Sequence, residues 1–430
     1  MHKKNYNHRI TRRVIRPAIL SLSVLAAINL SAQQVLIAPP ARSDQSLHTE
    51  QTGDTNQTDN AENSSVSTSA ISDKNPFQWG PVVLHPHFTY GFSYGTGLLS
   101  QPGQANRSIV NTVSPGIDFD LGKHWGLGYT ASAAFYSDPS FKNNVDHNLT
   151  LHGNTAYEDW TFNLSQNVAI SSDPLIETAQ QTDEQAYSTA LGVSYQISSD
   201  WSAEFTAAQN LIYSQGITNS IGSSEDWTLS GSLNYLLGPG LSTGLSVGFG
   251  YNTVGIGPDM TYENVNGQFN WQIARKLNLS LNAGAQIRQF IGSGQSSLVS
   301  PTFGVALSYY PLDFTAITLS ASRGISASYF QDEVNESTSL SAGLSQRLFQ
   351  NYYLSLSAGY GLSSYQDTTL MSAAFHGRED TRSFFAINLS RSFLKRGTLN
   401  LSYSKSQNSS NSSGYSYNSD QIGFSMAYGY

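Results

Sequence analysis

His85 and His87 stand two residues apart, so on an extended strand both imidazoles point the same way, and such a pair could ligate a divalent metal. No third ligand accompanies them at a metal-binding spacing, and polar wall is the commoner role for such residues. The chain has no cysteine, which excludes disulfides, thiolate catalysis and Cys-ligated metals. Neither a His-Glu-x-x-His run nor a phosphate-binding loop appears. Serines and histidines are both present, yet nothing marks out one pair as nucleophile and base. The expectation is a protein that is not an enzyme and carries no cofactor or metal. The remaining residues with chemical potential are six charges in otherwise neutral stretches: Asp118, Asp120, Glu204, Arg288, Arg347 and Arg382.

What those charges could do depends on the elements that carry them. From residue 81 onward the pattern has period two rather than 3.6. Across 241–252 one face reads Leu241, Thr243, Leu245, Val247, Phe249, Tyr251, and the other is Ser, Gly and Asn. Segments 277–288, 353–363 and 398–406 behave the same way. They run to about a dozen residues, twice the usual globular strand, and tilted strands need about 9–11 residues to cross a bilayer. On the same parity the six charges fall on the polar face.

Composition agrees. Charged residues make up 12% of the 430, about half the usual share, yet mean hydropathy is −0.29. Ser, Asn, Gln, Thr and 36 glycines supply the polarity. A soluble protein covers its exterior with Lys and Glu, and here there are too few. Six of the 22 basic residues lie within the first 16 positions, leaving 16 against 30 acidic residues. That balance argues against a nucleic-acid partner, which needs clustered positive charge.

The basic N-terminus is followed by an apolar stretch, 18–30, and by Ser31 and Ala32. This order reads as a secretory signal peptide over 1–32, and its apolar part is too short to span a bilayer. Residues 33–78 are rich in Ser, Thr, Asn, Gln, Asp and Glu, which predicts a disordered polar linker. The folded part is then 79–430.

Within it, apolar segments come in pairs joined by tight turns at 121–124, 157–159, 198–200, 238–240, 274–276, 311–313, 350–351 and 394–397. Longer polar segments such as 172–184, 215–224, 366–379 and 407–418 read as loops between pairs. The count is eighteen strands, eight short turns and nine long loops. The turns are flanked by Trp125, Trp160, Trp201, Tyr235, Trp271, Tyr309, Phe314 and Phe393, and rings at such a boundary suit a membrane interface. The last strand alternates Ile422, Phe424, Met426, Tyr428 and Tyr430 with small or polar residues. A terminal strand of this kind resembles the signal read by the outer-membrane barrel-assembly machinery. It must pair with the first strand, because an unpaired edge in lipid is prohibitive. The predicted fold is an all-β transmembrane antiparallel up-and-down barrel with short periplasmic turns and long extracellular loops.

The run Val113-Ser114-Pro115-Gly116-Ile117, leading through Leu121-Gly122 to Trp125, resembles the first hairpin of the β-barrel porin type 2 family. The Ser300-Pro301 strand entry and the Ser199–Trp201 turn are similar in style. The resemblance covers 81–430 and implies an outer-membrane protein, in some members linked by context to exopolysaccharide systems. It brings no catalytic residues. The functional expectation is a porin-like channel for passive diffusion of small hydrophilic solutes, with the six charges tuning selectivity. An exopolysaccharide-export component and a loop-based receptor or adhesin are the alternatives. The expected partners are the outer-membrane lipid, the assembly machinery and, as an open option, further copies of the chain.

Overall fold

In the computed structural model the described residues are 77–430, except 176, 216–222, 256, 329–332 and 369–376. The export signal expected over 1–32 and nearly all of the linker expected over 33–78 therefore lie outside the described residues.

A two-residue strand, β1 (Gln78–Trp79), caps the start of a set of eighteen long ones. These are β2 (Val82–Gln101), β3 (Gln104–Leu121), β4 (Trp125–Tyr136), β5 (Asn144–Tyr157), β6 (Trp160–Leu175) and β7 (Gln180–Gln196). There follow β8 (Trp201–Gln215), β9 (Ser224–Gly238), β10 (Leu241–Val254), β11 (Met260–Ala274), β12 (Leu277–Phe290) and β13 (Leu298–Leu312). The set ends with β14 (Thr315–Ala327), β15 (Glu333–Leu348), β16 (Tyr352–Asp367), β17 (Glu379–Phe393), β18 (Gly397–Ser410) and β19 (Tyr417–Gly429). Every neighbour pair is antiparallel, and β19 pairs with β2 from Asp420↔Thr96 to Gly429↔His87, so the sheet closes on itself. No edge is left for lipid to meet.

Register fixes the dimensions. Following one row of paired residues from Tyr90 around the wall returns to β2 about 22 residues further on, and with strands ~4.8 Å apart this gives a tilt of about 40° and a backbone radius of roughly 17–18 Å. Side chains cannot fill an interior that wide. Accordingly, the buried apolar clusters among the described residues are small and are drawn largely from strand ends and loops, not from a central core.

The apolar face points outward. Leu229, Leu245, Val247, Phe249, Val265, Leu319, Leu340 and Leu401 lie exposed along the outer wall, where a water-soluble protein would carry charge. The same wall turns polar towards the loop end, where Glu225, Glu336 and Asp420 hold Tyr213, Arg323 and Lys405, and at the turn-end margin, where Arg391 lies against the Tyr352 ring. The chain is a transmembrane barrel, the architecture of bacterial outer-membrane proteins. A charge in the middle of this belt should be costly. Val247→Arg is expected to lose about 2–4 kcal/mol of folding stability, against about 0–1 for Leu241→Arg at the turn-end margin of the same strand. Denaturant titration of both variants refolded in lipid vesicles measures the difference, and equal losses would show that the belt is misplaced.

The eight turns fall where the sequence placed them, two to four residues between β3/β4, β5/β6, β7/β8, β9/β10, β11/β12, β13/β14, β15/β16 and β17/β18. The loops differ from expectation. Pro102 and Gly103 alone connect β2 to β3, Gly103 taking the left-handed φ of 79° that a tight Pro-Gly turn requires. Much of 172–184 and 407–418 is strand, continuing the β6–β7 and β18–β19 ladders. The ladder outlasts the hydrocarbon: beyond the belt both faces are wet, so the strands continue without apolar alternation.

Candidate functional site

Directly paired residues share a face, so the registers carry one side of the wall all the way round. The lumenal face includes His85, His87, Asp118, Asp120, Glu204, Arg288, Arg347 and Arg382, with Ser, Thr, Asn, Gln and Gly between them. Correcting each row for the strand tilt sorts the charges into two levels.

The turn-end level holds His85, His87, Asp118, Asp120, His152, Glu204 and Arg347. His85 joins the barrel seam: its Nε2 lies 3.0 Å from Asp120, and its Nδ1 lies 3.1 Å from the carbonyl of Tyr430. His87 lies 3.2 Å from both Asp118 and Thr130 Oγ1. The rings need room. A Cβ on Gly116 would sit 2.1 Å from His87, and one on Gly126 would sit 2.3 Å from His152. His85 and His87 are each paired to an aspartate, and among the described residues no three His, Asp or Glu side chains converge as a metal site.

The loop-end level holds Asp146, Asp173, Glu184, Asp226, Arg288, Glu333, Asp367, Asp380 and Arg382. Arg288 is bound into the wall, only 3% exposed. Its Nη2 donates to the Ile325 carbonyl at 3.0 Å, and its guanidinium lies 4.9 Å from the Tyr262 ring. The Tyr262 hydroxyl donates in turn to the Asp226 carboxylate. Arg382 lies 5.8 Å from the Phe384 ring. Between the two levels the wall is uncharged and hydroxyl-rich, as in the cross-strand pairs Ser320–Ser341 and Ser322–Ser339.

A third feature, which no local pattern foreshadows, is a roof over the loop end. The tip of the β6–β7 hairpin reaches wall segments at least four strands away in either direction. There the Glu177 carbonyl accepts from Arg378 Nη1 at 3.0 Å, and the Glu177 carboxylate accepts from Ser328 Oγ at 2.6 Å. Ala179 packs with Leu99, Tyr415 and Tyr417. Arg378 is 1% exposed. Its guanidinium lies between the Tyr365 and Tyr415 rings, 4.4 and 3.8 Å from their centroids. It also donates to both Asp380 carboxylate oxygens, at 3.1 and 2.5 Å. Burial is the largest single influence and opposes the Arg378 charge, but the bond to Asp380 together with the neighbouring Tyr365, Asp380 and Glu177 outweighs it, and the guanidinium pKa is raised. A second strut comes from the β4–β5 connection, where Lys142 N–H donates to Gln181 Oε1 and Gln181 Nε2 donates to the Lys142 carbonyl, at 2.8 and 2.9 Å.

On the outer face Trp125, Trp160, Trp201, Tyr235, Trp271, Tyr309 and Phe393 lie at one level near the turns, with Phe314 in the β13–β14 turn. Trp160 packs on Tyr195 at 4.5 Å between centroids and Trp201 on Tyr235 at 4.7 Å. Ile422, Phe424, Met426 and Tyr428 face outward along β19, and Tyr430 follows beyond its end.

No family model and no curated protein matches the chain. Among solved structures it is similar to OccAB2 of Acinetobacter baumannii, at 10% identity and a TM-score of 0.47, covering 81% of this chain and 98% of that one. It is also similar to the outer membrane protein OpdK of Pseudomonas aeruginosa, at 9% identity and a TM-score of 0.45, covering 81% and 98%. A third is OccAB4 of A. baumannii, at 12% identity and a TM-score of 0.43, covering 83% and 100%.

Proposed function

We propose that the chain is an outer-membrane channel through which small hydrophilic solutes diffuse passively. One observation carries the reading: a closed wall of about 17–18 Å radius, apolar outside, is lined inside by hydroxyl, amide and glycine positions, and an interior that wide holds water. In this reading the turn-side aromatics sit at the periplasmic headgroup level. Residues 1–32 direct export, and the outward-facing side chains of the terminal strand serve as the assembly signal. The lumenal charges bias which solutes pass, because fixed charges along a water-filled path set its local potential.

The roof favours small solutes over a polymer, since the β6–β7 tip and Arg378 span the mouth that an extended polysaccharide would have to leave by. Connections of eleven residues or fewer also give little surface for a receptor. Purified protein added to a planar bilayer should give discrete, stepwise current increments at constant voltage. A folded protein that inserts and stays electrically silent would refute the channel.

A further inference from the structure

The lumenal charges are not spread evenly around the wall. Among the described residues of strands β2 to β11 no Lys or Arg faces inward, whereas β5, β6, β7, β8 and β9 each present one carboxylate: Asp146, Asp173, Glu184, Glu204 and Asp226. The three lumenal arginines stand on β12, β15 and β17, and Glu333, Asp367 and Asp380 share the inner face of β15, β16 and β17 with the last two. Arg288 is held against the Asp226–Tyr262 pair, and Arg382 follows Asp380 on the same face two residues later. The sum over the lumen is negative, and its strongest part is the wall at the base of the roofing hairpin.

Width alone would blunt this. A wall of roughly 17–18 Å backbone radius encloses a lumen wider than the ~8 Å over which physiological salt screens a charge. The roof changes the geometry, because the β6–β7 tip crosses the mouth and narrows it, and Asp146, Asp173 and Glu184 line the wall at its base. A second observation marks the same place. Ser214 is 5% exposed and its hydroxyl has no hydrogen-bond partner, although its ladder neighbour on the lumenal face is Glu184, in the row that continues through Ser171 to Asp146. A buried hydroxyl with an unmet hydrogen bond in a row of carboxylates marks this strip as a polar site that its own side chains do not saturate.

We propose that the channel prefers cations, and that the selecting element is the acidic wall of β5–β7 beneath the hairpin roof. This rests on the channel reading. Fixed carboxylates raise the local concentration of counter-ions and repel anions, and the effect weakens as salt screens it.

The test is the reversal potential of full-length protein in planar bilayers under a KCl gradient. Around 0.1 M salt, K⁺ is expected to permeate about threefold or more over Cl⁻, with the ratio falling towards one near 1 M as screening takes over. The variant carrying Asp146→Asn, Asp173→Asn and Glu184→Gln should lose at least about half of that preference, and adding Asp226→Asn, at the far end of the acidic stretch, should change it less. The wild-type measurement needs no variant to fold. Current that prefers Cl⁻ or neither ion overturns this inference while leaving the channel standing, as does a triple variant as selective as the wild type. Silence from inserted, folded protein overturns both.

Discussion

Replacing Arg378 by Ala is expected to raise single-channel conductance about twofold or more and to make the open current noisier. The guanidinium is the joint of the roof: it binds Asp380 through two nitrogens, holds the Glu177 carbonyl with a third and fills the space between Tyr365 and Tyr415. Removing it strands a buried carboxylate and leaves two rings facing a void. Breaking a buried pair from one side typically costs about 3–5 kcal/mol. That cost falls on the hairpin tip rather than the barrel, whose ladders lie elsewhere. The tip keeps the Ser328–Glu177 bond and the Gln181–Lys142 strut, so it should move between docked and undocked positions rather than detach, hence the noise. Arg378→Lys retains a charge but cannot bind bidentately or stack as a plane, and should fall between wild type and Ala. Conductance unchanged in both variants, with normal insertion, would mean that the roof does not limit the current.

That joint was not visible in the sequence. Glu177 and Arg378 are 201 residues apart, each in a short polar stretch with no local pattern, and their meeting depends on a hairpin crossing the mouth. The barrel was legible for the opposite reason. A strand with lipid on one side and water on the other must alternate, so Leu241 through Tyr251 record their own faces, and turns that must be tight show themselves as breaks between two such runs. The legibility ended where the lipid ended. Above the belt both faces of β6, β7 and β18 meet water or protein, the alternation loses its apolar half, and the strand reads as loop. Parity also assigns a side of the wall to each lumenal charge, but not its company. Arg288 is held by Tyr262 of β11 and the Ile325 carbonyl of β14, partners that only the register between distant strands can supply. The His85–Asp120 and His87–Asp118 pairs are of the same kind.

The largest effect is expected from the seam. Deleting Tyr417–Gly429 together with Tyr430 should abolish the folded barrel outright, with no partly stable product. The deletion removes both ladders of β19, the one to β18 that runs from Gly397↔Tyr428 to Asn408↔Tyr417 and the one to β2. β18 and β2 would be left with open edges inside hydrocarbon, where each unsatisfied backbone group costs several kcal/mol. Re-closing as seventeen strands does not help, because antiparallel order would then bring β18 and β2 together in parallel. The side-chain ties at the seam go as well, including His85 to the Tyr430 carbonyl and the Phe77–Tyr430 ring pair. Folding into detergent or vesicles, followed by the shift in gel mobility between unheated and boiled samples, reads the outcome. The truncated chain should show only the boiled mobility and be digested by protease within minutes. His85→Ala, which removes one seam tie and leaves both ladders, separates the two contributions: it should still fold and run as a compact unheated species. A truncated chain with the compact mobility would mean that closure does not depend on the β19 ladders.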